Sequence, residues 1–146
     1  MQPEIHLNWL AILAGVISNF VIGSLWYGPL FGKAWMKEMG HGPDWKPAGS
    51  AIAKGMLLSL VGAFFMSYVL AHSIPVWQPS VWGAGEDQPA YVYGFFGAFF
   101  SWIGFVVPVM LNSIGYEDKS WKNFSIGAGY QFVAMMSMGM ILAYWH

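Results

Sequence analysis

The sequence predicts an all-α, polytopic membrane protein: four transmembrane helices in a bundle, with a short interfacial helix after the first span. Three observations predict it. Four long apolar runs cover Leu7–Tyr27, Gly55–Ala71, Tyr91–Leu111 and Phe124–Trp145. Only 9% of residues are charged, against ~25% in ordinary soluble domains, while 57% are hydrophobic and 18% aromatic. All 6 cations are lysines, and they fall in two of the connecting segments only.

The opening Met1-Gln2-Pro3-Glu4-Ile5-His6 lacks the positive charge of a secretory leader, so the first run is expected to stay as a span. Most runs reach the ~20 residues that cross a ~30 Å hydrocarbon core. Gly55–Ala71 is at the short end and extends if Lys54 and His72 snorkel to the interfaces. Pro29, after Trp26-Tyr27-Gly28, should end or bend the first helix. Leu30–Met39 then reads as a short helix in the headgroup plane, and Gly40–Pro47 as a turn region. The outer loop Pro75–Pro89 carries three prolines and two tryptophans, which predicts an ordered cap. Pro108 should kink the inner end of the third span. With the runs allotted, residues 1–146 leave room for one domain.

Lysine placement sets the expected orientation. Lys33, Lys37, Lys46 and Lys54 lie between the first and second spans, and Lys119 and Lys122 between the third and fourth. The positive-inside rule puts both loops in the cytoplasm and both termini outside, with Glu4, Glu86 and Asp87 on the outer side. Trp9, Trp77, Trp82 and Trp145 then mark the outer interface, and Trp26, Trp35 and Trp121 the inner one. Trp102 falls near mid-span, as a packing or lipid-facing residue or, less simply, a ligand-stacking one.

Small residues recur at four-residue intervals: Ala11, Gly15, Asn19 and Gly23 in the first span, and Gly55, Ser59, Ala63, Ser67 and Ala71 in the second. Such stripes let helix backbones approach where no hydrophobic force acts between them. They point to packing within or between subunits, or to a groove for a substrate. The third span adds Gly94, Gly97, Ser101 and Gly104. Lys33-Ala34-Trp35 and Lys119-Ser120-Trp121, each after an inward-running span, raise a duplicated helical hairpin against simple coincidence.

The words themselves are similar to a known family. Asn8-Trp9-Leu10-Ala11, the run Leu25-Trp26-Tyr27-Gly28-Pro29-Leu30-Phe31-Gly32-Lys33-Ala34-Trp35-Met36, Gly104-Phe105-Val106-Val107-Pro108, Ser120-Trp121-Lys122 and Gly127-Ala128-Gly129-Tyr130 resemble the bacterial domain of unknown function 1761 family. The resemblance covers nearly the whole chain and implies a small four-helix protein of a bacterial plasma membrane. It supplies no reaction, ligand or catalytic residue.

Two polar groups are candidate sites. Asn19, Ser59, Ser101 and Gln131 each fall near the centre of a different span. An amide in hydrocarbon needs a partner, so Asn19 and Gln131 are expected to bond each other, to hold a kinked backbone or a subunit contact, or to line a solute path. No Asp, Glu, Lys, Arg or His occupies a span centre, so an ion-coupled carrier lacks its usual intramembrane charge. His6, His72 and His146 gather on the outer side as potential zinc ligands, without local ligand spacing; solvated interfacial histidines are the plainer reading. His41 is expected to stand alone on the inner side. With no cysteine and no Gly-x-Ser-x-Gly, nucleophilic catalysis has no signal. A net charge of −1 gives no case for nucleic acid, and no cofactor is implied. The partners expected are the lipid bilayer and further copies of the chain. The leading expectation is a homo-oligomeric structural or accessory membrane component without chemistry of its own. The alternatives are a small-solute channel or transporter built on the mid-span polar residues and, third, an outer-face metal-binding enzyme.

Overall fold

The computed structural model describes residues 5–146, so Glu4 lies outside the described residues. Among these, the chain is helical and forms no strand. Its helices are α1 (Trp9–Leu25), α2 (Gly32–Glu38), α3 (Gly49–Ser73), α4 (Ala90–Ser101), α5 (Val107–Tyr116) and α6 (Trp121–Tyr144). Counting the turns that continue them, four helical segments are long and apolar enough to cross a membrane: Trp9–Leu30, Gly49–Trp77, Ala90–Tyr116 and Trp121–Tyr144. The second is far longer than its apolar run. It starts at Gly49 and carries Lys54 within its first turns, because Ser50, Ala51 and Ala53 are compatible with helix though not strongly apolar.

The helix ends follow from local chemistry. Asn8 caps α1, its Oδ1 accepting from the amides of Leu10 and Ala11 at 3.1 and 3.2 Å. Ser120 caps α6 by accepting from Asn123 N–H at 3.0 Å. Both prolines act where expected, in a specific form. Over Trp26–Leu30 the helix opens into a wide turn broken at Gly28 (φ −95°, ψ −106°), and Phe31 N–H reaches back five residues to the Trp26 carbonyl at 2.8 Å. Over Trp102–Val106 the third span widens in the same way, just upstream of Pro108. A proline has no N–H for the carbonyl four residues back and its ring collides with it, so the preceding turn expands.

The packing centres on α6, which lies against both α1 and α4, while α3 rests on α1 and more lightly on α6. Small residues set the closest approaches. A Cβ on Gly94 would stand 2.6 Å from the Gly139 carbonyl oxygen and 2.9 Å from the Ala143 methyl, so α4 and α6 touch backbone to backbone. A Cβ on Gly15 would stand 2.6 Å from Ser67 Oγ, which donates to the Ile12 carbonyl at 2.9 Å and ties α3 to α1. Ser18 and Ser137 share a hydrogen bond of 2.5 Å between α1 and α6. Ala11, Ile12, Val16, Ala63, Leu70, Met135, Met138 and Leu142 fill the space between these contacts. The outward faces, including Leu57, Phe65, Phe105 and Val109, are apolar and exposed, which suits lipid.

All lysines sit at one end of this assembly. At the other, the loop after α3 forms two tight turns, Pro75–Trp77 and Pro79–Trp82. Trp82 Nε1 donates to the Val76 carbonyl at 2.8 Å, and Asp87 accepts from the Ser80 amide and hydroxyl at 2.8 and 2.5 Å. Those two bonds hold the Asp87 carboxyl below the usual aspartate range.

The glycine contacts give a first test. Gly94→Leu should lower stability in detergent by about 1–3 kcal/mol, the usual cost of overpacking, read as a lower midpoint of thermal unfolding. Gly62→Leu, where nothing lies within 4 Å of the added Cβ, should leave the midpoint in place. Equal midpoints for the two variants would sink the close-approach account.

Candidate functional site

The small stripe of α3 does two jobs along its length. Ala63, Ser67 and Ala71 are buried against the neighbouring helices, whereas every residue from 49 to 62 is exposed. The helix therefore leaves α1 on the lysine side and opens a cleft of about 640 Å³. Gly55, Ser59, Ala51, Ile52 and Met56 form one wall. Asn19, Phe20, Gly23, Ser24 and Tyr27 of the first span, Tyr130 of α6, and Trp35, Trp45 and Pro47 complete it.

The second wall is an aromatic chain. Trp45 stacks on His41 with ring centroids 3.7 Å apart and planes 4° from parallel, so His41 is not isolated as its sequence position suggests. Trp35 approaches Trp45 at 6.5 Å and meets Tyr27 edge-on at 5.7 Å. Tyr27 meets Tyr130 at 5.2 Å, and the Tyr130 hydroxyl donates to Asn19 Oδ1 at 3.0 Å. These rings line the cleft opposite the lysine-side half of α3. Gly23 makes room for the last of them, since a Cβ there would sit 3.2 Å from the Tyr130 hydroxyl.

A carboxylate fixes the base of this wall. Glu38, at the end of α2, accepts a short hydrogen bond from the Ser120 hydroxyl and lies 3.6 Å from Lys122 Nζ. The Ser120 bond first, and the Lys122 charge after it, hold the Glu38 carboxyl below the usual glutamate range. The negative charge stands at the N-terminus of α6, where the helix dipole favours it. Helix α2, and with it Trp35, is thereby pinned to the start of α6.

The four mid-span polar residues do not converge. Asn19, only 4% exposed, pairs with Tyr130 and not with Gln131; these neighbours on α6 point different ways around the helix. Gln131 Oε1 is buried without a hydrogen-bond partner. Ser59 shares the cleft with Asn19. Ser101 bonds its own helix at Gly97 O, 2.7 Å, and lines a separate apolar groove with Tyr93, Phe96 and Phe100. Of the stripe residues, Ala11, Gly15, Ala63, Ser67 and Ala71 pack between helices, and Gly23 and Gly55 line the cleft. Trp102 packs at 5.0 Å from Phe132 and donates through Nε1 to the Ala128 carbonyl at 2.9 Å, as Trp26 does to Ile126 O at the same distance.

The three histidines expected on the outer side are spread. His6 and His146 line one small cavity, while His72 Nδ1 bonds the Tyr68 carbonyl at 2.8 Å beside the Tyr68 ring. Among the described residues no three His, Cys, Asp or Glu side chains come together as a metal site. The aromatic wall is what sequence reasoning missed. Trp35 and Tyr27 stood inside the quoted family word, and Tyr130 stood next to Gln131, yet nothing in their spacing shows that they meet.

Fold and cleft define an all-helical protein with four candidate membrane spans and an aromatic-walled opening between two of them. The family model described as protein of unknown function (DUF1761) matches residues 10–143, and the chain belongs to that family. No curated protein and no solved structure matches it.

The Asn19–Tyr130 pair is open to a double-mutant cycle. Asn19→Leu and Tyr130→Phe should each destabilise, and the double variant should lose less than their sum. The expected coupling is about 0.6 kcal/mol and at most about 1.7 kcal/mol, the range for hydrogen bonds between membrane helices. Gln131→Leu should add independently to either change. Coupling of Asn19 to Gln131 rather than to Tyr130, measured by unfolding in detergent, would overturn the pairing.

Proposed function

We propose that this protein is a bacterial plasma-membrane component that works by holding an amphiphilic molecule between α1 and α3, without chemistry of its own. The cleft carries the reading. One half of a small-residue stripe is used for helix packing, and the other half faces an opening with aromatic residues opposite. Aromatic rings offer broad apolar contact with polar edges, which suits a molecule that belongs partly to the bilayer and partly to its surface. The exposed walls favour lateral entry from lipid over a sealed solute path.

The positive-inside rule supports a cytoplasmic position for the lysine end, with both termini outside and α2 lying in the headgroup layer. A reporter fused after His146 should be active only outside the cytoplasm, and one inserted near Gly42 only within it. Cytoplasmic activity of the C-terminal fusion would reverse the orientation.

Self-association is the second reading, and one observation favours it. Gly55 and Gly62 have nothing within 4 Å of an added Cβ, so a second helix has room to approach this half of α3. A spin label separates the two. The chain has no native cysteine, so Ser59→Cys and Leu57→Cys each give a single labelling site, the second exposed and on the opposite face of α3. In the amphiphile reading, adding bilayer lipid to detergent-solubilised protein immobilises the label at 59 and leaves that at 57 mobile. Dipolar broadening at 59 that disappears on dilution with unlabelled protein would instead show a second copy in the cleft.

A further inference from the structure

A separate groove of about 670 Å³ runs between the end of α3 and α4. Val92, Phe96, Phe100 and Phe105 line it along the third span, and Ser73 and Trp77 stand at its lysine-free end. Gly97, also in the lining, lets Ile74 come close: a Cβ there would stand 3.0 Å from Ile74 Cγ1. None of the lining residues is charged. The serine hydroxyls of the groove are spent within their own helices. Ser73 Oγ donates to the Leu70 carbonyl at 3.3 Å, and Ser101 Oγ to the Gly97 carbonyl at 2.7 Å. Tyr93 differs. It lines the groove and is only 9% exposed, and its hydroxyl accepts from the Gln88 amide at 2.9 Å. The hydroxyl's own hydrogen meets no acceptor among the described residues. A phenol both accepts and donates, so half of this one's capacity is left over in a buried position.

We propose that this groove is a lipid site, in which the Tyr93 hydroxyl donates to the ester carbonyl of an acyl chain that lies along Phe96 and Phe100 toward Phe105. The site is built from other residues than the cleft between α1 and α3 and does not depend on it. Depth selects the occupant. Tyr93 belongs to the first turns of α4, and its hydroxyl stands beside Gln88, before the helix begins. In a bilayer this is the boundary between headgroups and hydrocarbon, where the ester linkages of a lipid lie. From Tyr93 to Phe105 the helix advances about 18 Å, slightly more than half of the ~30 Å hydrocarbon core. One tail of one leaflet therefore matches the length of the wall. An ester carbonyl accepts hydrogen bonds and donates none, which suits a leftover donor. It also relieves the cost of keeping that donor buried and unpaired. With no charge in the lining, recognition falls on the linkage and the tail and not on the headgroup.

Ester-linked phosphatidylcholine and its diether counterpart with the same chains are suitable probes, because only the carbonyls differ. Native mass spectrometry of the full chain from mild detergent, with the two lipids in equal amount, resolves them by mass. The parent should retain the ester lipid in preference. One net hydrogen bond corresponds to roughly 2- to 12-fold, so the ester-to-ether ratio should fall by that factor in Tyr93→Phe while a lipid adduct remains. Lipid held elsewhere on the chain is common to parent and variant. Phe96→Ala with Phe100→Ala should lower retention of both lipids severalfold, because the wall for the tail is gone. Both rings are exposed, so that variant should keep its fold. Phe65→Ala, an exposed phenylalanine outside the groove, should keep the parent's retention and ratio.

Equal retention of ester and ether lipid by the parent, or a ratio that Tyr93→Phe leaves unchanged, would overturn the proposal. Undiminished retention in the double alanine variant would put the tail elsewhere and overturn it as well. A loss in Phe65→Ala as large as in that variant would reduce the effect to general lipid affinity and end the claim of a site. Should Tyr93→Phe fail to fold, judged by its thermal midpoint, the parent's ratio and the double alanine variant decide. None of these results bears on the cleft between α1 and α3, whose lining they leave intact.

Discussion

Close backbone contact between helices is the constraint on which the rest of this molecule depends. In hydrocarbon there is no water to expel from between two helices, so cohesion comes from dispersion and from a few hydrogen bonds, and both need short distances. Gly94 against Gly139, and Gly15 against Ser67, supply those distances. With α4 locked to α6 and one half of α3 locked to α1 in this way, the lysine-side half of α3 is free to depart. The cleft is thus a by-product of where close packing stops. Above Ala63 the α3 stripe meets a helix, and below it the stripe faces large rings.

The rings are positioned by elements of quite different rigidity. Tyr130 belongs to the most enclosed helix, and Tyr27 to a turn widened by Pro29. Trp35 rides on α2, which is held by one carboxylate at the start of α6, and Trp45 rests on His41 in the following loop. Mobility should therefore rise along the wall from the Asn19 end toward the lysine end.

Much of the architecture was legible in the sequence because single residues decide it. Apolar runs locate the spans, and Pro29 and Pro108 disturb their helices wherever they are placed. The site was less legible because it depends on how faces meet. Asn19 needed a partner, and that much followed from burial; that Tyr130 rather than Gln131 supplies it depends on the rotation of α6 about its axis. His41 read as isolated because the Trp45 ring reaches it only through the fold of the Gly40–Pro47 turn. The second span looked short because hydropathy measures apolarity, whereas helix length also depends on Ser50, Ala51 and Ala53, which extend the helix without raising hydropathy much.

The widened turn at Trp102–Val106 carries a consequence for phase. A turn that takes in one extra residue shifts everything beyond it by about 100° around the axis, since an α-helix advances by 3.6 residues per turn. Gly94, Gly97 and Ser101 belong to one angular frame, and Gly104 to another, with nothing within 4 Å of a Cβ built on it. Helix α5 accordingly presents a face that the spacing of α4 does not foretell. The loss of one residue from this turn would act as a rotation of α5 more than as a shortening. It would carry Pro108, Val109 and Met110 to new sides of the helix while leaving the chain's composition almost untouched.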